Sequence, residues 1–274
     1  MAVLTMLTEH SPFMMGFVFV TEKDRAVVID GGRPADMPYL FELIGSRRIA
    51  AWIMTHPHFD HISGFNEVMR SPANRERVEG VYFNFPSVDF VLKCEPQFVT
   101  PEAPCSVRDF EALKPLFGDK LHEVNAGDSL DIDELHFDFL FAGGERFYLP
   151  KPNLAVNESS IVFRVTAAGH KSVLFLGDLG PEGGRELLKT QKVNLPSDVV
   201  QMAHHGHSGV SEEVYRAISP SVCLWCAADW LYDEADVEFE PELWGTRHQR
   251  KWMDALGVKE HYVSGRGTQE IPLR

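Results

Sequence analysis

The sequence has few cysteines, no apolar run of membrane length and no excess of basic residues. Four cysteines in 274 residues exclude a disulfide framework, because small secreted domains that depend on disulfides are much richer in cysteine. No apolar stretch reaches the roughly 20 residues of a membrane-spanning helix. Residues 13–20 are apolar but short, and no basic residue precedes them, so they predict a strand and not a signal peptide. We therefore expect a cytoplasmic protein with no membrane partner.

Basic residues are outnumbered, and the formal net charge is −14. A protein that follows a phosphate backbone normally carries a basic stripe, and none is visible here. The sequence therefore disfavours nucleic acid as a partner and favours a small substrate. Cys223 and Cys226 form a Cys-x-x-Cys pair inside an apolar segment typical of a buried strand. Residues three apart on a strand face opposite sides, so this pair predicts core packing and not a metal or redox site.

The hydrophobic pattern predicts alternating strands and helices over the whole chain. No linker, repeat or low-complexity tract divides it, so one domain over residues 1–274 is expected. The chief predicted strands cover residues 2–8, 13–20, 25–29, 49–54, 80–85, 135–141, 160–166, 172–176, 198–203 and 221–226. Helices are predicted at 34–45, 61–70, 106–117, 181–190, 211–218 and 246–256, and residues 86–104 as irregular. This composition favours an α/β fold in which two sheets pack face to face with helices outside.

What the sequence does contain is a dense run of metal-binding residue types, His56-Pro57-His58-Phe59-Asp60-His61, directly behind the apolar segment 49–54. Side chains two apart on an extended backbone point the same way, so His56 and His58 can bind one cation together. If a helix starts at Phe59, Asp60 and His61 turn back toward the same point and can bind a second cation. Nitrogen and oxygen donors of this kind suit zinc, with manganese or iron as competitors.

Two further signals also follow apolar strands. Gly177-Asp178 ends the segment 173–176, which would place the Asp178 carboxylate at a sheet edge, although a helix-capping role is the alternative. Ala203 is followed by His204-His205-Gly206-His207. His204 is the first residue after the strand and is the expected ligand of the second metal. His205 or His207 would then hydrogen-bond a substrate oxygen or protonate a leaving group.

These motifs together resemble the metallo-β-lactamase fold superfamily. The resemblance includes the upstream Asp30-Gly31-Gly32. The His-His-Gly turn and Asn157-Glu158-Ser159-Ser160 are similar to a branch that includes the hydrolase domain of DNA-internalisation (competence) channels and the phosphorylcholine esterases of teichoic acid. The resemblance implies a four-layer αββα sandwich with two divalent metals in a cleft. It also implies roles for individual residues: His56 and His58 on the first metal, Asp60, His61 and His204 on the second, Asp178 as bridge, and Asp30 as orienter of a ligand histidine.

One departure from the family pattern concerns the first metal. Most members supply it with a further histidine from the stretch between His61 and Asp178. His122, His136 and His170 lie there, but none has a convincing context. Asn157 or a water is the alternative donor, and a mononuclear form is a further alternative.

The resemblance implies a metal-dependent hydrolase in which a metal-bound hydroxide attacks a phosphodiester or another small ester, with Asp60 in the catalytic set. Phosphorylcholine-like esters fit the branch, and Trp225, Trp230, Tyr232 and Trp244 are candidates to surround a quaternary ammonium. The alternatives are a mononuclear iron-dependent oxidoreductase of the sulfur-dioxygenase type, a nuclease, and a member without catalytic function.

Overall fold

The strand ends that carry the motifs can be located in a computed structural model, which describes residues 2–11, 13–95, 106–147, 155–233 and 245–274. The strands form two seven-stranded sheets. Sheet one has the order β14-β1-β2-β3-β4-β5-β6, with strands β1 Val3–Met6, β2 Gly16–Val20, β3 Ala26–Asp30, β4 Ile49–Ile53, β5 Val81–Phe83, β6 Leu121–Glu123 and β14 Gln269–Ile271. Sheet two has the order β13-β12-β11-β10-β9-β8-β7, with strands β7 Ser129–Ile132, β8 Leu135–Ala142, β9 Ile161–Thr166, β10 Val173–Phe175, β11 Val199–Gln201, β12 Val222–Trp225 and β13 Glu260–Val263.

Helices cover the outer face of each sheet. Within the described residues they are α1 Met37–Ile44, α2 Phe59–Val68, α3 Pro72–Arg77, α4 Val88–Cys94, α5 Ser106–Leu113, α6 Pro181–Gln191, α7 Glu212–Ile218, α8 Asp229–Asp233 and α9 Thr246–Leu256. Helices α1, α2 and α5 pack on sheet one through one apolar cluster. Helices α6, α7 and α9 pack on sheet two through another. None of the helices in the described ranges is long and apolar enough to cross a membrane.

A third apolar cluster lies between the two sheets, and phenylalanine dominates its centre. Phe17 and Phe19 of sheet one contact Phe175 of sheet two with ring centroids 5.1 and 6.3 Å apart. Strands with alternating inward side chains thus bury one face against the opposite sheet and the other against helices. The predicted four-layer αββα sandwich is confirmed.

Cys223 and Cys226 lie on opposite sides of sheet two, as the alternation of side chains along a strand requires. Cys223 lies in the cluster between sheet two and its helices, and Cys226 lies in the cluster between the sheets. Both are buried and carry no disulfide. Burial raises the pKa of both thiols, so they behave as small apolar side chains. The prediction of core packing for this pair is confirmed.

The prediction of an irregular segment over residues 86–104 was wrong in its first half. Helix α4 occupies Val88–Cys94, and the Ser87 hydroxyl accepts a hydrogen bond from the Phe90 N–H at its start. A single proline before the helix and the short length obscured this pattern in the sequence. Strands β6 and β7 and the short helices α3 and α8 were also not anticipated. Residues 96–104 lie outside the described ranges.

The topology brings the sequence motifs to one edge of the sandwich. Strands β3, β4 and β5 are parallel neighbours in sheet one, and β10, β11 and β12 are parallel neighbours in sheet two. The segments that carry Asp30, His56, Asp178 and His205 leave the carboxyl ends of β3, β4, β10 and β11. Carboxyl ends of parallel strands meet at the same edge, where ligands of open α/β sheets bind.

Candidate metal centre

His56 and His58 follow β4 on an extended backbone and face each other. His56 Nε2 lies 3.0 Å from His58 Nδ1, so one nitrogen of each ring is directed at the same point. His58 is the residue before α2, with φ −70° and ψ 153°. The helix begins at Phe59 and turns Asp60 and His61 back toward the sheet edge, where both are buried. The strand end followed by a helix therefore places the donors of this motif close together at one edge of the sheet.

Asp178 lies at the centre of the site. Its Oδ2 is 3.3 Å from His61 Nε2, 3.3 Å from His205 Nε2 and 3.8 Å from His56 Nε2. Gly177 makes this placement possible: its φ is +56°, and an added Cβ would lie 2.9 Å from Thr55 Cβ. The segment after β10 can therefore turn tightly beside β4, and a carboxylate from sheet two reaches the histidines of sheet one.

The tandem histidines after β11 occupy different positions. His205 Nε2 lies 3.4 Å from Asp60 Oδ2, and its Nδ1 lies 2.8 Å from the Cys226 carbonyl oxygen. His204 Nε2 lies farther from the carboxylates, 4.0 Å from Asp178 Oδ2, and 3.2 Å from Asn157 Nδ2. The sequence predicts His204 as the metal ligand, with His205 or His207 free for the substrate. The distances favour the opposite assignment, with His205 inside the donor cluster.

A left-handed turn explains this arrangement. His204 and His205 have φ values of +51° and +55°, which are sparsely populated for residues other than glycine. Gly206 follows with φ +82°, and an added Cβ would lie 2.4 Å from the Trp225 ring. The prediction of His204 as ligand requires that the first residue after the predicted strand reach the site directly. The turn instead carries the second histidine over the edge of the sheet.

Two groups of donors can each hold a cation. In one, His56, His61 and Asp178 each offer a ligand atom within 4.8 Å of the others, and in the other, Asp60, His61 and His205 do so. His61 Nε2, His205 Nε2 and Asp178 Oδ1 are buried and have no hydrogen-bond partner among the described residues. Buried polar atoms are rarely left without a partner. A bound cation would supply the partner that these atoms lack among themselves. The donor set of imidazoles and carboxylates suits a divalent transition metal.

The distal nitrogens of the ring donors are hydrogen-bonded. His61 Nδ1 lies 2.7 Å from Asp30 Oδ2, and Asp30 also accepts hydrogen bonds from the Thr55 N–H and hydroxyl, each at 2.7 Å. His56 Nδ1 lies 3.2 Å from Thr55 Oγ1. His58 Nε2 lies 2.7 Å from Glu95 Oε2. Such contacts fix the tautomer, so that the other ring nitrogen presents its lone pair to a metal.

Burial is the strongest influence on the pKa values of the histidines in the site, and in each of them it acts to lower the pKa. At His56 and His207 burial prevails and the pKa falls well below its usual value, and at His204 it falls to about 4. At His61 the carboxylates of Asp178 and Asp30 outweigh burial and raise the pKa. At His205, Asp178 and Asp60 raise the pKa to about 10. These carboxylates thus concentrate negative charge where a cation would balance it.

The other histidines of the middle stretch lie away from this centre. His136 is paired with Asp131 and Asp138, with its side chain 41% exposed, on the outer part of the β7–β8 pair. His122 stacks on Tyr82 with ring centroids 4.7 Å apart. His170 lies in the turn between β9 and β10. Asn157, by contrast, is buried beside His204, and its Oδ1 has no hydrogen-bond partner within the described part of the chain.

Sequence reasoning missed three groups that hold the centre together: Glu95, Thr55 and the carbonyl of Cys226. Thr55 lies between the end of β4 and His56, and this position beside the motif is a local signal in the sequence. Glu95 and Cys226 have no local pattern, because each reaches the site from a different element. Their contacts depend on how the chain folds over long separations.

The family follows from a comparison with protein-family models. The model of the metallo-β-lactamase superfamily matches residues 16–221. The chain belongs to this superfamily. A comparison of the sequence with curated proteins gives no significant match. The resemblance to the superfamily is therefore confirmed, whereas the narrower branch of competence hydrolases and phosphorylcholine esterases is not.

Three solved structures of similar fold share 12%, 13% and 16% sequence identity with this chain. The metallo-β-lactamase fold protein YhfI from Bacillus subtilis is 12% identical with a TM-score of 0.56, over 98% of this chain and 99% of that one. A diphosphatase of the PhnP family is 13% identical with a TM-score of 0.52, over 100% and 99%. CmlA, a diiron β-hydroxylase from Streptomyces venezuelae, is 16% identical with a TM-score of 0.57, over 99% of this chain and 54% of that one. At these identities the likeness concerns the fold alone.

Proposed function

We propose that this protein is a metal-dependent hydrolase that uses two divalent metal ions to cleave a phosphodiester or another small ester. One observation carries the proposal: the two donor groups share His61 and converge on Asp178 at the carboxyl edge of both sheets. Two cations held side by side by these groups would lower the pKa of a water and stabilise the charge that develops on the ester. Zinc is the favoured metal, with manganese or iron as alternatives.

We assign the first metal to His56 and His58, the second to Asp60, His61 and His205, and the bridge to Asp178. Asp60 has its pKa lowered: burial raises it, but the neighbouring imidazoles of His205 and His61 outweigh burial. It therefore stays ionised as a ligand near neutral pH. Asp30 orients His61. Asn157 Oδ1 or a water is the candidate that completes the first metal in place of the missing histidine.

His204 and His207 lie beside the metal ligands and are the candidates to hydrogen-bond the substrate. Their ring centroids are 4.3 Å apart, and the Phe13 ring lies 6.2 Å from His207. Burial lowers the pKa of both, which keeps them neutral near pH 7, so that each ring has one N–H to donate to a substrate oxygen. The role of His205 as proton donor, expected from the sequence, conflicts with its place among the donors.

A small substrate fits the charge of the protein better than a polymer does. The net charge of −14 opposes a nucleic acid, while bound cations would locally offset it for a small phosphate ester. The neighbour described as a diphosphatase supports phosphate chemistry by analogy of fold only. A quaternary ammonium is less supported, because Trp225 is fully buried and Tyr232 lies against Arg250 and Arg266. Trp230 lies beside Phe13 at the edge of the site, and Trp244 is outside the described ranges.

Hydrolysis of bis(p-nitrophenyl) phosphate tests the proposal. The purified protein should cleave it only with Zn²⁺ or Mn²⁺ present, and a chelator should abolish cleavage. Asp178→Asn should lower the rate about 100-fold or more, because loss of even a supporting contact in metal sites costs about 10–100-fold. His136→Ala is the matched control: it removes an imidazole paired with carboxylates outside the site, and the rate should not change. Absence of metal-dependent turnover on any phosphate or carboxylate ester would count against a hydrolase.

An iron-dependent oxidoreductase is the second candidate, and one observation favours it. Asp60, His61 and His205 form a set of two histidines and one carboxylate, which is the donor set of many non-haem iron oxygenases. A structural neighbour is also described as a diiron hydroxylase. Elemental analysis after anaerobic and aerobic purification separates the two functions: iron retained only without oxygen, together with no ester hydrolysis, would favour this alternative.

A further inference from the structure

Glu95 is a carboxylate that the proposed roles leave without a function. It follows the last residue of α4, and only 1% of its surface is exposed. Ionisable side chains are seldom buried this fully unless they are paired. Its place in the fold therefore requires partners of matching polarity.

Both oxygens of Glu95 have such partners. Oε2 lies 2.7 Å from His58 Nε2, and Oε1 accepts a hydrogen bond from the Val156 N–H at 3.4 Å. The other ring nitrogen of His58 faces His56 Nε2 at 3.0 Å. Glu95 thus binds the side of His58 that points away from the donor cluster. It also connects His58 to the segment that leads into Asn157.

The contact has a definite chemical consequence for His58. The Glu95 oxygen accepts a hydrogen bond from the ring at this distance, so Nε2 carries the N–H and Nδ1 keeps its lone pair for a cation. The carboxylate also makes the imidazole a stronger donor to that cation. Apart from His61, which both donor groups share, the first metal would depend on His56 and His58 among the histidines. His136 and His122 have other partners.

We propose that Glu95 is the positioning residue of the first metal site. Its contact to His58 gives this site the metal affinity that a further histidine supplies in most members of the superfamily. The inference rests on the proposed dinuclear centre. It concerns the first metal only, because the ring contacts of His61 and His205 go to Asp30 and to the Cys226 carbonyl.

The test measures bound zinc per chain and zinc affinity in the full-length protein. Wild type should bind two Zn²⁺ ions. Glu95→Ala removes the acceptor and the charge, and should weaken one of the two sites about 10–100-fold while the other is unchanged. Glu95→Gln keeps an acceptor and loses the charge, so its effect should be intermediate. Combining Glu95→Ala with His205→Ala should weaken both sites.

Glu145→Gln is the matched control. The Glu145 carboxylate accepts a hydrogen bond from the Ser87 N–H at the other end of α4, and Glu145 is exposed. This variant should bind both zinc ions as wild type does. If Glu95→Ala does not fold, the nitrogen chemical shifts of His58 in zinc-loaded wild type test the same contact. A protonated Nε2 with a metal-bound Nδ1 supports the proposal, and the reverse tautomer overturns it.

Three results contradict the inference: unchanged zinc affinity in Glu95→Ala, equal weakening of both sites, or a single zinc in wild type. The hydrolase proposal fails separately. If the protein binds two zinc ions and this binding depends on Glu95, but it cleaves no ester, the inference stands and the proposed reaction fails. If the wild type cleaves esters but Glu95→Ala binds zinc with wild-type affinity, the inference about Glu95 fails and the proposed reaction stands.

Discussion

At the scale of residues, the centre depends on contacts at the far side of each imidazole. His61 is held by Asp30, His58 by Glu95 and His205 by the Cys226 carbonyl. Each of these partners accepts a hydrogen bond, so the opposite nitrogen is left with its lone pair. In the proposed centre, the accepting groups would therefore orient these rings for a metal ion as much as the positions of the histidines do.

The tandem histidines give a prediction at this scale. His205→Ala should reduce bound zinc from two ions to one, because His205 Nε2 lies between Asp60 and Asp178. His204→Ala should keep the second metal, since its Nε2 is 4.0 Å from the nearest Asp178 oxygen. Elemental analysis after dialysis against buffered zinc measures both. Loss of the second metal in His204→Ala, but not in His205→Ala, would restore the assignment made from the sequence.

At the scale of elements, a short turn before β9 connects the start of α6 to the candidate metal centre. Residues Asn157–Ser159 form one turn of 3-10 helix, and the Glu158 carboxylate accepts hydrogen bonds from the Glu182 and Gly183 N–H groups at the start of α6. Burial raises the pKa of Glu158 to about 7, although the hydrogen bonds from these N–H groups act to lower it. This buried anchor fixes the turn, and the turn places Asn157 beside His204.

Gly143, just after β8, is the position most sensitive to substitution near this turn. An added Cβ would lie 1.9 Å from the Glu158 carbonyl oxygen, which is a backbone atom that cannot move without the turn. Gly143→Ala should therefore lower the free energy of unfolding by about 3 kcal/mol or more, measured by urea denaturation. Gly257→Asn is the control: φ is +81°, nothing lies within 4 Å, and asparagine tolerates this region, so the cost should stay below about 1 kcal/mol. Equal effects of the two substitutions would contradict the steric argument.

At the scale of the whole molecule, a charged contact joins the two sheets at the end opposite the site. Asp133, in the turn between β7 and β8, accepts hydrogen bonds from Arg25 Nε and Nη2 at 3.0 and 2.7 Å and from the Thr21 hydroxyl at 2.7 Å. Arg25 and Thr21 belong to the turn between β2 and β3. The guanidinium of Arg25 holds the pKa of Asp133 well below its usual range.

Asp133→Asn should destabilise the protein by about 1–2 kcal/mol at pH 7. The pKa of Asp133 is lower in the folded state, so its contribution is fully present above about pH 4, the value of an unfolded aspartate, and is lost as the pH falls further. Urea unfolding at pH 7 and pH 3 should thus show a smaller difference between wild type and variant at pH 3. Asp24→Asn, which affects an exposed pair with Arg47, should change stability by less than about 0.5 kcal/mol. A wild-type advantage that does not shrink at pH 3 would contradict this explanation.

The sequence by itself determined the family, the sandwich and the local donors of the proposed centre. His56, His58, Asp60 and His61 lie within six residues, and the geometry of a strand end followed by a helix is set locally. The tertiary structure decided which of His204 and His205 enters the donor cluster, because a left-handed turn over the sheet edge is not encoded by hydrophobic periodicity. It also decided the contact between Glu95 and His58, which lie 37 positions apart in the chain and meet only in the folded protein. The positions of side chains within one element follow from their spacing in the sequence. Contacts between elements depend on tertiary packing, which sequence spacing does not specify.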